Sequence, residues 1–449
     1  AAVTYTITNA TAASQTYTVS GDQNVTLAGT TAMFGGATFT DTSTAGVTAL
    51  KVTTDGVDDS MDVSTWGVLS GGIEIAGQLV AATNTMTVAS GSTVKISADQ
   101  GAGRDLVFDT NDGTTSSSLT LDIDNDSAAL IQTTDVDTLT IQTGDMALSL
   151  EQLNAGDNDA TVNIGGTNDI TFTGAVAAGD LTVTGNDTNF AAIDADGDLT
   201  VTATTNFVAT GAIAVDNDVV ISADDIDSQT GISTAASGTA DGSVTLTSTG
   251  NDVDLAGATD IDGALTVTAV DSFTQNATAL NTENDITITA DDFQAGATTT
   301  VQAGKMTVTV TNDSVLTGDT TVAGGGLTIT QSGGADQTVT FSGEAASLVV
   351  DNDISITAQN VVTDEISTVA GNVTITADND ITIDATTGAA TTTDVSGSLT
   401  LTSANATTSA ITTSGILKAD NDITITAADQ VSVQKVQTVA GSVAITAGN

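Results

Sequence analysis

Aliphatic residues alternate with threonine along most of this chain. In Asp420-Asn421-Asp422-Ile423-Thr424-Ile425-Thr426-Ala427 an apolar side chain stands at every second position of the Ile-Thr-Ile-Thr stretch. The same unit returns at 284–290, 351–358 and 378–384, and more loosely at 216–223. A sister form led by glycine occupies 197–203, 263–269, 371–377, 397–402 and 441–447. A period of two marks a short strand with one face buried. Asp, Asn or Gly comes first because the chain must turn there, and these residues accept turn geometry at low cost.

The spacing of these strands sets the expected architecture. Their first apolar positions include Leu181, Leu199, Val219, Val244, Leu265, Ile286, Met306, Leu327, Ile354, Val373, Leu399, Ile423 and Val443. Successive members cluster about 20 residues apart, the range in which self-similarity signals a solenoid. A unit that short closes no core of its own; it buries Ile, Leu and Val by stacking on its neighbours. The expected fold is therefore all-β: a single elongated parallel β-solenoid (β-helix) with about 20 residues per coil, roughly 22 coils in all. Residues 116–449 carry the regular repeats. Residues 1–115 read as an irregular, aromatic-containing β region, a cap or contact segment, with strands expected around Val3–Thr8 and Gln15–Val19. Tyr5, Tyr17, Trp66, Phe34, Phe39 and Phe108 all fall there.

Composition narrows the function. The chain has 449 residues and no Pro, Cys or His. Disulfides and thiolate metal sites are thereby excluded, and the usual imidazole base is missing. Formal charge is −50, from 56 acidic and 6 basic residues. Glu occurs only at positions 74, 151, 283, 344 and 365, so nearly all the acid is Asp, a turn former, placed at the corners of the coils. Such a surface offers no basic footprint for nucleic acid or anionic lipid. No stretch approaches the ~20 uninterrupted apolar residues of a membrane span, so no direct membrane insertion is expected. The chain opens at Ala1-Ala2-Val3 without Met. That suits a mature end left by removal of an export signal, hence a secreted, extracellular or cell-surface protein, although an artificial boundary would look the same.

The repeated Gly-x-Leu-Thr-Val-Thr-Ala and Asn-Asp-Ile-Thr-Ile-Thr-Ala units resemble those of secreted haemagglutinin-type parallel β-helix proteins, the filaments and adhesins of bacterial surfaces. The resemblance covers about 115–449. It implies a β-helix, an extracellular setting, and glycans or other cell-surface components as partners.

Three kinds of chemistry are open to these residues. Parallel β-helices host glycosidases and polysaccharide lyases, but Asp at every turn makes any carboxylate pair uninformative. The scattered cations Lys51, Lys95, Arg104, Lys305, Lys418 and Lys435 build no site for an anionic sugar. The expectation is a non-enzyme. Asp122, Asp124 and Asp126, and Asp194, Asp196 and Asp198, place carboxylates at alternate positions that suit Ca2+, yet neither run has the acidic twelfth residue of an EF-hand. Solvated turn carboxylates are the plainer reading. Finally, with Leu, Val and Ile inward, Thr200, Thr202, Thr266, Thr268, Thr287, Thr289, Thr424 and Thr426 point outward and line up from coil to coil. Such a Thr-x-Thr ladder resembles an ice-binding face, although threonine is also simply a good strand residue, and uneven repeat lengths argue against a flat lattice.

The functional expectation is a non-catalytic extracellular structural protein whose partner is itself. It would assemble head to tail into a filament or surface layer, the N-terminal strand with Val3, Tyr5 and Ile7 on one face being donated to an open last coil bearing Val443 and Ile445. The alternative is a monomeric adhesin or ice-binding solenoid using the threonine ladder.

Overall fold

The computed structural model describes residues 168–448 apart from 235–241, 277–278, 335, 343–346, 384–391 and 406–408; before 168 it describes the strands and a few adjoining residues. Every regular element among the described residues is a strand. The strands stack in parallel as a β-solenoid with about 21 residues per turn. The chain forms two compact units, Ala1–Asp216 and Asn217–Asn449.

In the second unit each turn visits three rows. One turn runs Ile286–Ala290, Asp292–Ala295 and Thr299–Val301. The next runs Met306–Val310, Ser314–Leu316 and Thr320–Val322, and each strand pairs with its counterpart in the turn before. The first row keeps one register from Val219–Ala223 to Val443–Ala447. Val219, Val244, Leu265, Ile286, Met306, Leu327, Ile354, Val373, Leu399, Ile423 and Val443 succeed one another. These are the positions that the sequence period picked out.

In the first unit the corresponding row runs from Val3–Thr6 to Leu199–Ala203. Ser92–Ile96 pairs with Ser118–Ile123, which pairs with Thr138–Thr143. The N-terminal strand is seated on its own chain, Val3 opposite Val25 and Thr6 opposite Ala28. Near the end of this unit single long strands, Ile170–Ala178 and Thr188–Ala195, cover both of the other rows, with a register shift between Phe172 and Ala175.

Alternation explains the core. In Leu199–Ala203, Ile286–Ala290 and Ile423–Ala427 the aliphatic residues face inward and are buried, and the threonines between them face out. Because the coils repeat, like stacks on like. Phe172 lies on Phe190 with centroids 5.0 Å apart, and Phe273 on Phe293 at 5.5 Å, both in stacked geometry. Aromatic packing of this kind contributes beyond area alone. The aromatic side chains are thus part of the ordinary core well beyond the first 115 residues. Of the aromatics expected there, Phe108 is buried; the side chains of Tyr5, Tyr17, Phe34, Phe39 and Trp66 lie outside the described residues.

Stacking also constrains the turns. Gly231 follows the second-row strand Asp225–Ser228 at φ 82°, and a Cβ there would lie 2.0 Å from the carbonyl oxygen of Ala258 in the next coil. Both its left-handed conformation and its close approach require glycine.

Polar side chains also occupy buried positions, among them Ser92, Thr259, Ser314 and Gln275. Gln275 is fully buried, and among the described residues neither its Nε2 nor its Oε1 has a hydrogen-bonding partner. It lies in register between Leu255 and Ala295. An unsatisfied buried amide costs about 1–3 kcal/mol. Gln275→Leu, copying the residue one coil earlier, is therefore expected to raise the unfolding free energy by about 1 kcal/mol or more. Leu255→Gln should lower it. Chemical denaturation of the two variants measures both signs.

Candidate functional site

The outward side of the first row in the second unit is the most regular surface among the described residues. One file runs Thr245, Thr266, Thr287, Thr307, Thr328, Ser355, Thr374, Thr400 and Thr424, each opposite the next. A second file runs Thr247, Thr268, Thr289, Thr309, Thr330, Thr357, Thr376, Thr402, Thr426 and Thr446, with no other residue type in it. All of these side chains are exposed or half-exposed. Val220 and Ser222 precede the two files, and Ala444 ends the first. In the first unit Thr182 and Thr184 stand opposite Thr200 and Thr202.

Repeat length varies, yet the files keep their register. The corner before the first row recurs after 18 residues between Asp180 and Asp198 and after 26 between Asn372 and Ser398. The extra length falls between the first-row strands, so unevenness along the sequence leaves their register intact.

Carboxylates hold the corners. The residue just before the first row offers a side-chain oxygen to the backbone N–H of its equivalent one coil on. Asp159 accepts from Asp180 at 3.1 Å, and Asp180 from Asp198 at 2.8 Å. In the second unit Asp218 accepts from Ser243 at 2.8 Å, Asp285 from Lys305 at 2.9 Å, Asp353 from Asn372 at 2.7 Å and Asp422 from Ser442 at 2.7 Å. Asn372 plays the same part for Ser398 at 2.9 Å. The corner between the first two rows is built alike: Asp252 accepts from Ser272 at 2.9 Å, Asp292 from Asp313 at 2.9 Å and Asp313 from Thr338 at 2.7 Å. A strand ends at each corner, so its N–H would otherwise lose a ladder partner. The short Asp side chain reaches it, which explains the near absence of Glu.

Titration behaviour follows. The N–H and hydroxyl of Ser442 hold Asp422 below its ordinary value. Burial raises Asp225 above its ordinary value, and the neighbouring charge of Asp252 adds to this. Burial raises Asp254 as well; the Thr274 hydroxyl opposes the shift, and the charges of Asp252, Asp227 and Asp225 support it. Lys418 donates to both carboxylate oxygens of Asp394 at 2.9 Å, and that bond raises the ammonium.

The sequence candidates for calcium are placed as follows. Asp122 is half-exposed on Ser118–Ile123, and Asp124 and Asp126 lie outside the described residues. Asp194, Asp196 and Asp198 are exposed. Among the described residues no group of three or more acidic side chains is gathered to hold a metal ion. At the other end Val443 and Ile445 lie side by side on the last strand, with Val3 and Tyr5 in the first strand of the first unit; their described surroundings bear on assembly below. Ile7 lies outside the described residues. Sequence reasoning placed Asp at turns but missed its bond to the next coil's N–H. The signal was there in the preference for Asp over Glu directly before the strand.

These features define the class of protein, a parallel β-solenoid repeat protein. Comparison with protein-family models, curated proteins and solved structures finds no match, and no finding singles out the haemagglutinin-type family among β-solenoids.

Two outcomes are expected. Asp353→Ala should destabilise the protein by about 1 kcal/mol through the lost acceptor for Asn372, while Asp353→Asn, which reproduces the arrangement at Asn372, should be close to neutral in denaturant titration. For pH, the raised groups Asp225 and Asp254 favour the folded state most below the unfolded carboxylate value, and this contribution is lost as pH rises through their folded values. Asp225→Asn with Asp254→Asn should therefore stabilise at neutral pH and reduce the loss of melting temperature between mildly acidic and neutral pH. Asp422 works in the opposite sense: its contribution is present above the unfolded value and lost as pH falls through the folded one.

Proposed function

We propose that this protein is a non-catalytic, extracellular structural solenoid that associates with further copies of itself end to end, building a filament or surface layer. One observation carries the reading. In the last coil Val443 and Ile445 are each 46% exposed, while Ile423 and Ile425, opposite them in the coil before, are 0% exposed. Residues of core type thus stand uncovered on a strand that pairs along one edge with Ile423–Ala427 and, among the described residues, along the other with none. An open strand edge with an apolar face is a template for another strand. A copy stacked there covers both the side chains and the backbone groups. Because such a contact is heterologous, it propagates.

The N-terminal strand shapes the mechanism. Val3–Thr6 is already paired with Val25–Ala28. Donating it to a neighbour would break those bonds, whereas stacking an intact first coil on an uncovered last coil breaks none. The proposal is therefore coil-on-coil stacking. A non-catalytic role is supported by the use of the corner carboxylates as backbone acceptors. The acidic surface, −50 in formal charge, supports an extracellular setting.

Negative-stain microscopy of the purified chain at high concentration and in salt is expected to show linear assemblies. Val443→Asp with Ile445→Asp places charge on an already exposed strand, so the fold should survive by circular dichroism while the assemblies disappear. Assemblies of parental length in that variant would refute end stacking.

A further inference from the structure

We propose that the threonine face of the second unit is a lateral docking surface for the same face of a second copy, and that salt controls the pairing. This stands apart from end stacking, since it uses a different surface.

The first argument is charge. On this row the outward positions from Val220 to Thr446 hold Thr, Ser, one Val and one Ala, and no charged residue. The whole chain carries −50. The other rows are not spared: Asp227 and Asp254 stand opposite one another on the second, and Asp394 opposite Lys418 on the third. A second copy brings the same field with it. Two copies meet at lowest electrostatic cost through the faces that lack carboxylates.

The second argument is area. Eleven strands at about 4.8 Å spacing, each about 16 Å long, present about 800 Å². A stable interface of ordinary size buries about 800 Å² on each partner. The row has no register shift over its whole length in this unit, so a two-fold pairing would meet two regular lattices of methyl and hydroxyl groups. Because the patch is self-complementary, the contact closes as a pair.

The third argument gives the control. The face is rimmed by acidic corners, Asp218, Asp285, Asp353 and Asp422 along one edge and Asp224, Asp252 and Asp292 along the other. Pairing brings these rims near each other. Like charges within a Debye length repel, and that length falls from about 30 Å at 0.01 M salt to about 3 Å at 1 M. Pairing therefore strengthens as salt rises, the reverse of an interface held by ion pairs.

Sedimentation velocity of the full chain carrying Val443→Asp and Ile445→Asp isolates lateral pairing from end stacking. Monomer at about 0.01 M sodium chloride and dimer near 1 M are expected. Thr289→Asp with Thr330→Asp should weaken the dimer by about tenfold or more, since like charges facing each other cost several kcal/mol. The same charges placed on the second row, Thr340→Asp with Thr382→Asp, should leave it intact, which separates a docking effect from a general rise in charge. A monomer at every salt concentration, pairing that weakens as salt rises, or face variants that pair like the parent would overturn the proposal. So would a monomer showing thermal hysteresis that Thr289→Asp and Thr330→Asp abolish, because the face would then be occupied by ice.

Discussion

The in-register parallel pairing between coils is the constraint from which the rest follows. Once Ile286 stands opposite Met306 and Leu265, every later position along the coil is fixed to its equivalents. A slip of one residue would turn each inward aliphatic to solvent and each threonine into the core. Fully burying a Val, Leu or Ile stabilises by about 1.5–3 kcal/mol, so many stacked rungs hold the register far more firmly than any single contact could. Glycine at position 231, Asp at the corners and Phe on Phe are local answers to this one demand that equivalents lie on top of each other.

The demand has an awkward point at each corner, where the chain leaves one row before entering the next. Backbone bonds continue close to the corner: Val373 donates to the carbonyl of Ser398, and Leu399 to that of Asp422. The N–H of the corner residue itself has no backbone carbonyl in line, and a side chain from the coil below takes it. Asp422 serves Ser442 in this way, with the Ser442 hydroxyl as a second donor at 2.9 Å. A chain with so many coils accumulates many such carboxylates. The acidity of this protein is in good part a by-product of corner geometry, and Asn372 in an Asp position shows that charge is not what the geometry asks for.

Legibility in the sequence followed the same division. The strands were readable because alternation is local: Ile423 to Thr426 shows its period without any partner in view. The stacking was readable from the recurrence near 20 residues, close to the turn length of about 21 in the structure. The unbroken register of the threonine files was not. Judged by linear spacing, insertions such as the one between Asn372 and Ser398 look like defects in a lattice. In three dimensions the first-row strands on either side stay in register, Val373 opposite Leu399, because pairing registers strands and leaves the length between them free to vary. The burial of Gln275 was equally hidden. Nothing in Ser272–Gln275 distinguishes its last residue from an outward polar one except the count from Phe273.

Segregation of charge is the step that joins fold to function. Corner geometry concentrates Asp at the edges of the rows, and strand alternation puts threonine on the flat between them. Neither rule concerns recognition, yet together they leave a neutral, regular strip bordered by carboxylates on a chain of −50. Of two surfaces with equal area, the one that brings fewer like charges together is the one through which copies of such a chain can approach. The end of the second unit presents the complementary case, since Val443 and Ile445 are apolar and exposed where the preceding coil buries the same positions. On the proposed reading one repeat supplies two contacts, one at the last strand and one on the threonine face. Their strengths would respond to different variables: burial of aliphatic side chains for the first, and screening of the acidic rims for the second.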